Sequence, residues 1–120
     1  MAKVLIVDDS AMSRRMLRRI LEGAGNEVVE AEDGMVAIEK DFLDKPDVVL
    51  LDLIMKGMFG IEVLQKIRQM DERSRVIVAS ADIQSSTRAM TEAEGAVAFV
   101  TKPFIDKEII AAIESALKER

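Results

Sequence analysis

The chain has 120 residues, 49% hydrophobic and 32% charged, the size and balance of one domain around one core, and it contains neither Cys nor His. Those two absences exclude zinc sites, cysteine nucleophiles, Ser-His-Asp triads and histidine acid-base chemistry, so any reaction runs on carboxylates, lysine, hydroxyls and backbone. The formal net charge of -5 disfavours direct nucleic-acid binding, and no apolar run approaches a membrane span of about 20 residues or the core of a signal peptide, so a soluble cytoplasmic protein is expected.

Lys3–Val7 is an almost continuous apolar, β-branched run that stops at Asp8-Asp9, which predicts a strand buried on both faces. Met12, Met16, Leu17, Ile20 and Leu21 then recur at helical spacing, with Ser10 as N-cap and Gly23 and Gly25 as the stop. Glu27–Ala31 predicts a second strand, residues 35–43 a short helix, and residues 47–52, after Pro46, a central strand. Ile61, Leu64 and Ile67 place a helix over Gly60–Met70, and residues 75–80 read as a fourth strand. Over residues 87–94 only Ala89, Met90 and Ala93 form an apolar stripe, which predicts a thinly packed, mobile helix ended by Gly95. Residues 96–101 predict a fifth strand ahead of Lys102-Pro103, and Ile109, Ile110, Ile113, Ala116 and Leu117 mark a final helix.

Strict alternation with helix-length crossovers requires a parallel sheet covered on both faces. The expected fold is α/β: a flavodoxin-like, doubly wound (βα)5 with a five-stranded parallel sheet in the order 2-1-3-4-5. No repeat, low-complexity tract or linker interrupts the pattern, so residues 1–120 are expected to form a single domain.

In such a sheet ligands bind outside the carboxyl ends of the strands. Those ends are polar here, with Asp8 and Asp9 after strand one, Asp52 after strand three, Ser80 ending strand four, and Thr101-Lys102 ending strand five. Two carboxylates about 4 Å apart repel by roughly 4 kcal/mol at an effective dielectric of about 20, so three require a cation or a proton. Lys102 offsets only one charge. All-oxygen ligands suit a hard divalent ion, with Mg²⁺ favoured over a dedicated Ca²⁺ cage. A metal, an ammonium and a hydroxyl together hold a transferring phosphoryl group, and a carboxylate serves as its nucleophile; Asp52, central in the sheet, is the best-placed acceptor. Flavin mononucleotide binding on the same topology needs a phosphate cradle of Gly, Ser and Thr amides after strand one, where this chain has Asp8-Asp9-Ser10.

From Val7-Asp8-Asp9-Ser10, through Leu50-Leu51-Asp52-Leu53-Ile54-Met55 and Ala79-Ser80-Ala81, to Thr101-Lys102-Pro103-Phe104, the sequence resembles a response-regulator receiver domain of the chemotaxis type over its full length. The resemblance implies a two-component signalling switch in which Asp52 accepts a phosphoryl group from a phosphohistidine on a sensor histidine kinase or histidine phosphotransfer protein. It implies Mg²⁺ binding by Asp8 and Asp9, Asp9 directly and Asp8 largely through water, together with Asp52 and the backbone carbonyl of Ile54. In the same way Lys102 would contact the phosphoryl oxygens, Ser80 would move to hydrogen-bond them, Phe99 would change rotamer on activation, and the Lys102-Pro103 bond would be cis. The face made by helix four, strand five and helix five would then change its affinity for a downstream effector protein. A monomer is expected, with dimerisation on phosphorylation left open.

Two positions depart from the family pattern: Lys56 replaces the usual Pro, and Phe59 the usual Asp before Gly60. Lys56 adds a cation near the crevice and Phe59 an apolar ring at its rim, changes expected to tune partner choice or phosphoryl lifetime. Ile54 and Asp82 flank the path of attacking water, which apolar Ile54 cannot position by hydrogen bonding. Arg14, Arg15, Arg18 and Arg19 form a basic helix face, either simply solvated or a docking surface for the phosphodonor. The eight Met residues, Met55 and Met58 among them, read mostly as core filler. Two other classes remain: a phosphorylation-independent interaction module on the same scaffold, and an aspartyl phosphatase of the haloacid-dehalogenase type. The latter carries a second Asp two residues after its nucleophile, where this chain has Ile54, so turnover of external substrates is not expected.

Overall fold

The computed structural model describes residues 2–55, 57–81 and 84–118. The chain runs β1 (Lys3–Val7), α1 (Ala11–Gly23), β2 (Glu27–Ala31), α2 (Gly34–Asp44), β3 (Val48–Leu51), α3 (Gly60–Met70), β4 (Val76–Ser80), α4 (Ser85–Ala93), β5 (Ala98–Thr101) and α5 (Asp106–Lys118). All four strand pairings are parallel and the order is β2-β1-β3-β4-β5, the doubly wound arrangement expected from the alternation.

The three central strands are apolar at nearly every position because helices cover both of their faces. Val4, Ile6, Val48, Leu50 and Ile77 point to the side of α1 and α5, where they meet Leu17, Leu21, Ile109 and Ile113. Leu5, Val7, Val49, Leu51 and Val76 point to the side of α2 and α3, against Ala37, Val63, Leu64 and Ile67. The alternation of side chains along each strand therefore divides one apolar run between two cores.

Local signals set the helix ends. Ser10 Oγ accepts from the Ser13 N–H and caps α1, and Asp33 does the same for α2 through the Val36 N–H. Gly60 opens α3 against the end of β3, where a Cβ would lie 2.5 Å from the Asp52 carbonyl oxygen, so only glycine lets the helix start this close. Among the described residues no helix is long and apolar enough to cross a membrane.

Two predicted apolar stripes face elsewhere. In α1 the buried seam is Leu17, Ile20 and Leu21, whereas Met12 is 72% exposed and Met16 is also open to solvent. The five residues named from periodicity span about half the helix circumference at 3.6 residues per turn, wider than the sheet can cover. In α4 the residues Ala89, Met90 and Ala93 are exposed and Thr91, on the opposite side, is the buried one. Its hydroxyl donates to the Arg88 carbonyl at 3.0 Å, satisfying the polar group as it enters the interior. Thin packing of α4 holds, with a hydroxyl rather than a methyl stripe as the anchor. Smaller shifts occur at element ends: β3 stops at Leu51, one residue before Asp52, β5 begins at Ala98, and α4 begins at Ser85.

Candidate functional site

β1 and β3 are neighbours, with Val7 opposite Leu51, and each strand is followed directly by an aspartate. The ladder continues one step further, since the Asp52 N–H donates to the Val7 carbonyl at 2.9 Å and the Asp8 N–H to the Ala31 carbonyl at 3.2 Å. Asp8 and Asp52 consequently leave the sheet side by side and stay buried, at 1% and 5% exposure, while the next residue, Asp9, is exposed. One carboxylate oxygen from each of Asp8, Asp9 and Asp52 lies within 4.8 Å of the others.

Lys102 arrives from the end of β5, its N–H donating to the Ser80 carbonyl at 3.0 Å, so the ends of β4 and β5 are joined beside the carboxylates. The Lys102 Nζ stands 3.0 Å from Asp8 Oδ2 and 3.1 Å from Asp52 Oδ2. The remaining oxygens are held by backbone: the Ser10 N–H donates to Asp8 Oδ1 at 2.8 Å and the Ile54 N–H to Asp52 Oδ1 at 3.2 Å.

Burial raises the Asp52 carboxyl above the ordinary aspartate value; the Ile54 N–H and Lys102 pull it down, and the charge of Asp8 adds to the rise. For Lys102, burial works to lower its pKa, yet the hydrogen bonds and charges of Asp8 and Asp52 prevail and hold the ammonium above its usual value. One ammonium against three carboxylates leaves an excess of negative charge. Asp8 Oδ2 is fully buried and faces the Lys102 ammonium at 3.0 Å. An all-oxygen donor set, three carboxylates within reach of one another with surplus negative charge, fits a hard metal cation.

Ser80, at the end of β4, is completely buried, and the Lys102-Pro103 bond is cis. Ile54 and Phe59 project from the loop after β3 into solvent, Phe59 being 68% exposed, whereas Met55 is buried; Met12, Met16, Met35, Met70 and Met90 are exposed, so the methionines are not mostly core filler, because the sheet covers only one side of each helix. Lys56 and Asp82 lie outside the described residues. Phe99 is half-buried in β5 with the Arg88 guanidinium 5.0 Å from its ring centre.

The basic face of α1 divides in two. Arg15 and Arg19 are exposed, but Arg14 and Arg18 turn back onto Glu30 of β2, with Arg14 Nε 3.0 Å from Glu30 Oε1. Arg14 Nη1 also donates to the Asp8 carbonyl at 2.7 Å. Composition shows the arginines but not their partner; the signal available was Glu30, set among Val28, Val29 and Ala31 of β2, with arginines at i and i+4 on the preceding helix.

The response regulator receiver domain profile matches residues 4–114. The chain is 41% identical over 116 residues to the chemotaxis protein CheY of Bacillus subtilis (strain 168), covering 96% of this chain and 97% of that one. It is 38% identical over 117 residues to the chemotaxis protein CheY of Thermotoga maritima, with 97% and 98% covered. Among solved structures, Vibrio cholerae chemotaxis protein CheY4 superposes with a TM-score of 0.92 at 30% identity, covering 98% of this chain and 99% of that one. The response regulator domain of Thermotoga maritima CheB gives 0.91 at 33% identity, with 98% and 97% covered. The fold, the length matched and the identity agree: the chain belongs to the response regulator receiver domains, the phosphorylation-activated switches of two-component signalling.

Proposed function

We propose that Asp52 is the phosphoacceptor of a chemotaxis-type, single-domain receiver, and that its donor is a phosphohistidine on a sensor histidine kinase or histidine phosphotransfer protein. The observation that carries this reading is the Lys102 ammonium held between two buried carboxylates at the carboxyl end of the sheet. A carboxylate oxygen of Asp52 attacks phosphorus; the new P–O bond forms as the P–N bond breaks, and the imidazole leaves with the bonding pair. The Ile54 N–H orients the Asp52 carboxylate, and Lys102 passes from Asp52 to the transferred oxygens, where its charge is fixed in advance.

Asp9 and Asp52, the Ile54 carbonyl, and Asp8 through water are the groups that would hold Mg²⁺, which when bound neutralises charge on the phosphoryl oxygens. Ser80, buried at the end of β4, is the hydroxyl within the site that turns to the phosphoryl group, and Phe99 on β5 follows it. The face of α4, β5 and α5 then changes its affinity for an effector protein, with α4 the element least anchored in the interior. In this reading the chain acts in the cytoplasm as a switch and does not turn over external substrates.

Intact mass after incubation with Mg²⁺ and acetyl phosphate tests the reading. A Mg²⁺-dependent gain of one phosphoryl group, absent in Asp52→Asn, is the expected result. No gain, together with beryllofluoride leaving the amide spectrum unchanged, would overturn it in favour of a phosphorylation-independent interaction module.

A further inference from the structure

We infer that Arg14 is a positioning residue for the metal site, acting through the backbone of the loop that carries Asp8 and Asp9; this rests on the function proposed above. Arg14 lies one turn into α1 and its side chain is largely buried, 16% exposed. Nη1 donates to the Asp8 carbonyl at 2.7 Å while Nε donates to Glu30 Oε1 at 3.0 Å. Glu30 is itself fixed from two further directions, by Arg18 on its other carboxylate oxygen and by Lys40 Nζ, which donates to its backbone carbonyl at 2.6 Å.

The Asp8 carbonyl belongs to the peptide that joins Asp8 to Asp9. Holding that oxygen fixes the peptide plane, and with it the direction in which Asp9 leaves the loop. Asp8 already has two restraints of its own, the Ser10 N–H and Lys102, and it is buried. Asp9 is exposed and follows β1 by two residues, so the plane set by Arg14 bears directly on the direction of its carboxylate. A guanidinium suits the task because its planar fork donates in two fixed directions at once, toward Glu30 and toward the carbonyl; a lysine ammonium has no such fork.

The sign of the effect separates this role from simple charge. A cation close to a divalent-metal site weakens metal binding by repulsion, so if Arg14 acted only through its charge, removing it would tighten Mg²⁺. As a positioning residue its removal must loosen Mg²⁺. A docking role for α1 would leave Mg²⁺ affinity unchanged and slow only transfer from the partner.

The test is Mg²⁺ titration by calorimetry of the full chain, with Arg14→Met, Arg14→Lys and, as a charge control, Arg15→Met, which alters an exposed arginine of the same helix. The expected result for Arg14→Met is about tenfold weaker Mg²⁺ binding, the lower end of what loss of a supporting contact costs a metal site. Arg14→Lys is weakened in the same direction, and Arg15→Met is equal to or tighter than the unaltered chain. Phosphorylation by acetyl phosphate should then need more Mg²⁺ to reach half its maximal rate, with the rate at saturating Mg²⁺ changed little. Unchanged or tighter Mg²⁺ binding by a folded Arg14→Met would overturn the inference while leaving the proposed function standing. If Arg14→Met does not fold, Arg14→Lys decides: weaker binding supports the role and unaltered affinity overturns it. Failure of the unaltered chain to bind Mg²⁺ at all would overturn the proposed function and this inference together.

Discussion

The Arg88 guanidinium of α4 lies over the Phe99 ring of β5, 5.0 Å from its centre, and ties the least anchored helix to the strand beside it. Beyond this contact α4 enters the interior through Thr91. A cation over an aromatic face at a partly exposed site is worth about 0.5 to 1 kcal/mol. Arg88→Ala should lower stability to urea by that amount and speed amide exchange selectively over residues 85–93. Exchange unchanged in α4 would show that the contact does not hold the helix.

Metal binding should be visible as stability. If Mg²⁺ binds the folded chain and not the unfolded one, Mg²⁺ at about 100 times its dissociation constant adds roughly 2.7 kcal/mol, and chelation removes it. Thermal melts with and without Mg²⁺ measure this. Asp9→Asn and Asp52→Asn should each lose most of the increment, because each deletes a charge from the carboxylate triad that would hold the ion.

Phe59 occupies the N-cap of α3 in extended backbone conformation but offers no side-chain hydrogen bond to the first turn. An aspartate there accepts from an otherwise unpaired helix N–H, a gain of about 1 kcal/mol. Phe59→Asp should therefore raise the midpoint of denaturant unfolding while removing an exposed ring from the surface. A lower midpoint would mean that the ring contributes packing worth more than the cap.

Asp41 sits in α2 at 7% exposure, and burial, with the charge of Asp71 adding, pushes its carboxyl up to about 6. With a folded pKa above the unfolded value of about 3.9, the folded chain binds the proton more tightly. The stabilisation from protonation is complete below about pH 4 and is lost as pH rises through about 6. At pH 7 the ionised group costs on the order of 3 kcal/mol. Asp41→Asn should be more stable than the unaltered chain at pH 7, and the difference should shrink as pH falls from about 7 to 4. A difference that stays constant over that range would show that Asp41 does not titrate in the fold as its burial predicts.

Much of the architecture was legible because it depends on short-range patterns. Short, β-branched apolar runs bounded by turn residues, such as residues 48–51 after Pro46, read as strands covered on both faces, and their alternation with helical segments leaves a parallel sheet. The same reasoning grouped Asp8, Asp52, Ser80 and Lys102, which all stand at or just past strand ends. Their distances follow from register: Val7 opposite Leu51 and Ser80 opposite Thr101 bring the following side chains together without any further choice.

Tertiary structure decided what local pattern leaves degenerate. A helix with few apolar residues does not encode its own rotation about its axis, so the sheet selected Thr91 over Ala89, Met90 and Ala93, and Leu17 and Leu21 over Met12. The partners of Arg14 and Arg18 depend on how the crossover brings α1 back over β2, a relation between residues 14 and 30 that no periodicity carries. Length, composition and strand ends thus determined the fold class and the carboxylate crevice, through burial and the pleat. The second layer that braces the crevice, Glu30 to Arg14 to the Asp8 carbonyl, came only from packing, because long polar side chains take their partners from the surface the fold presents to them.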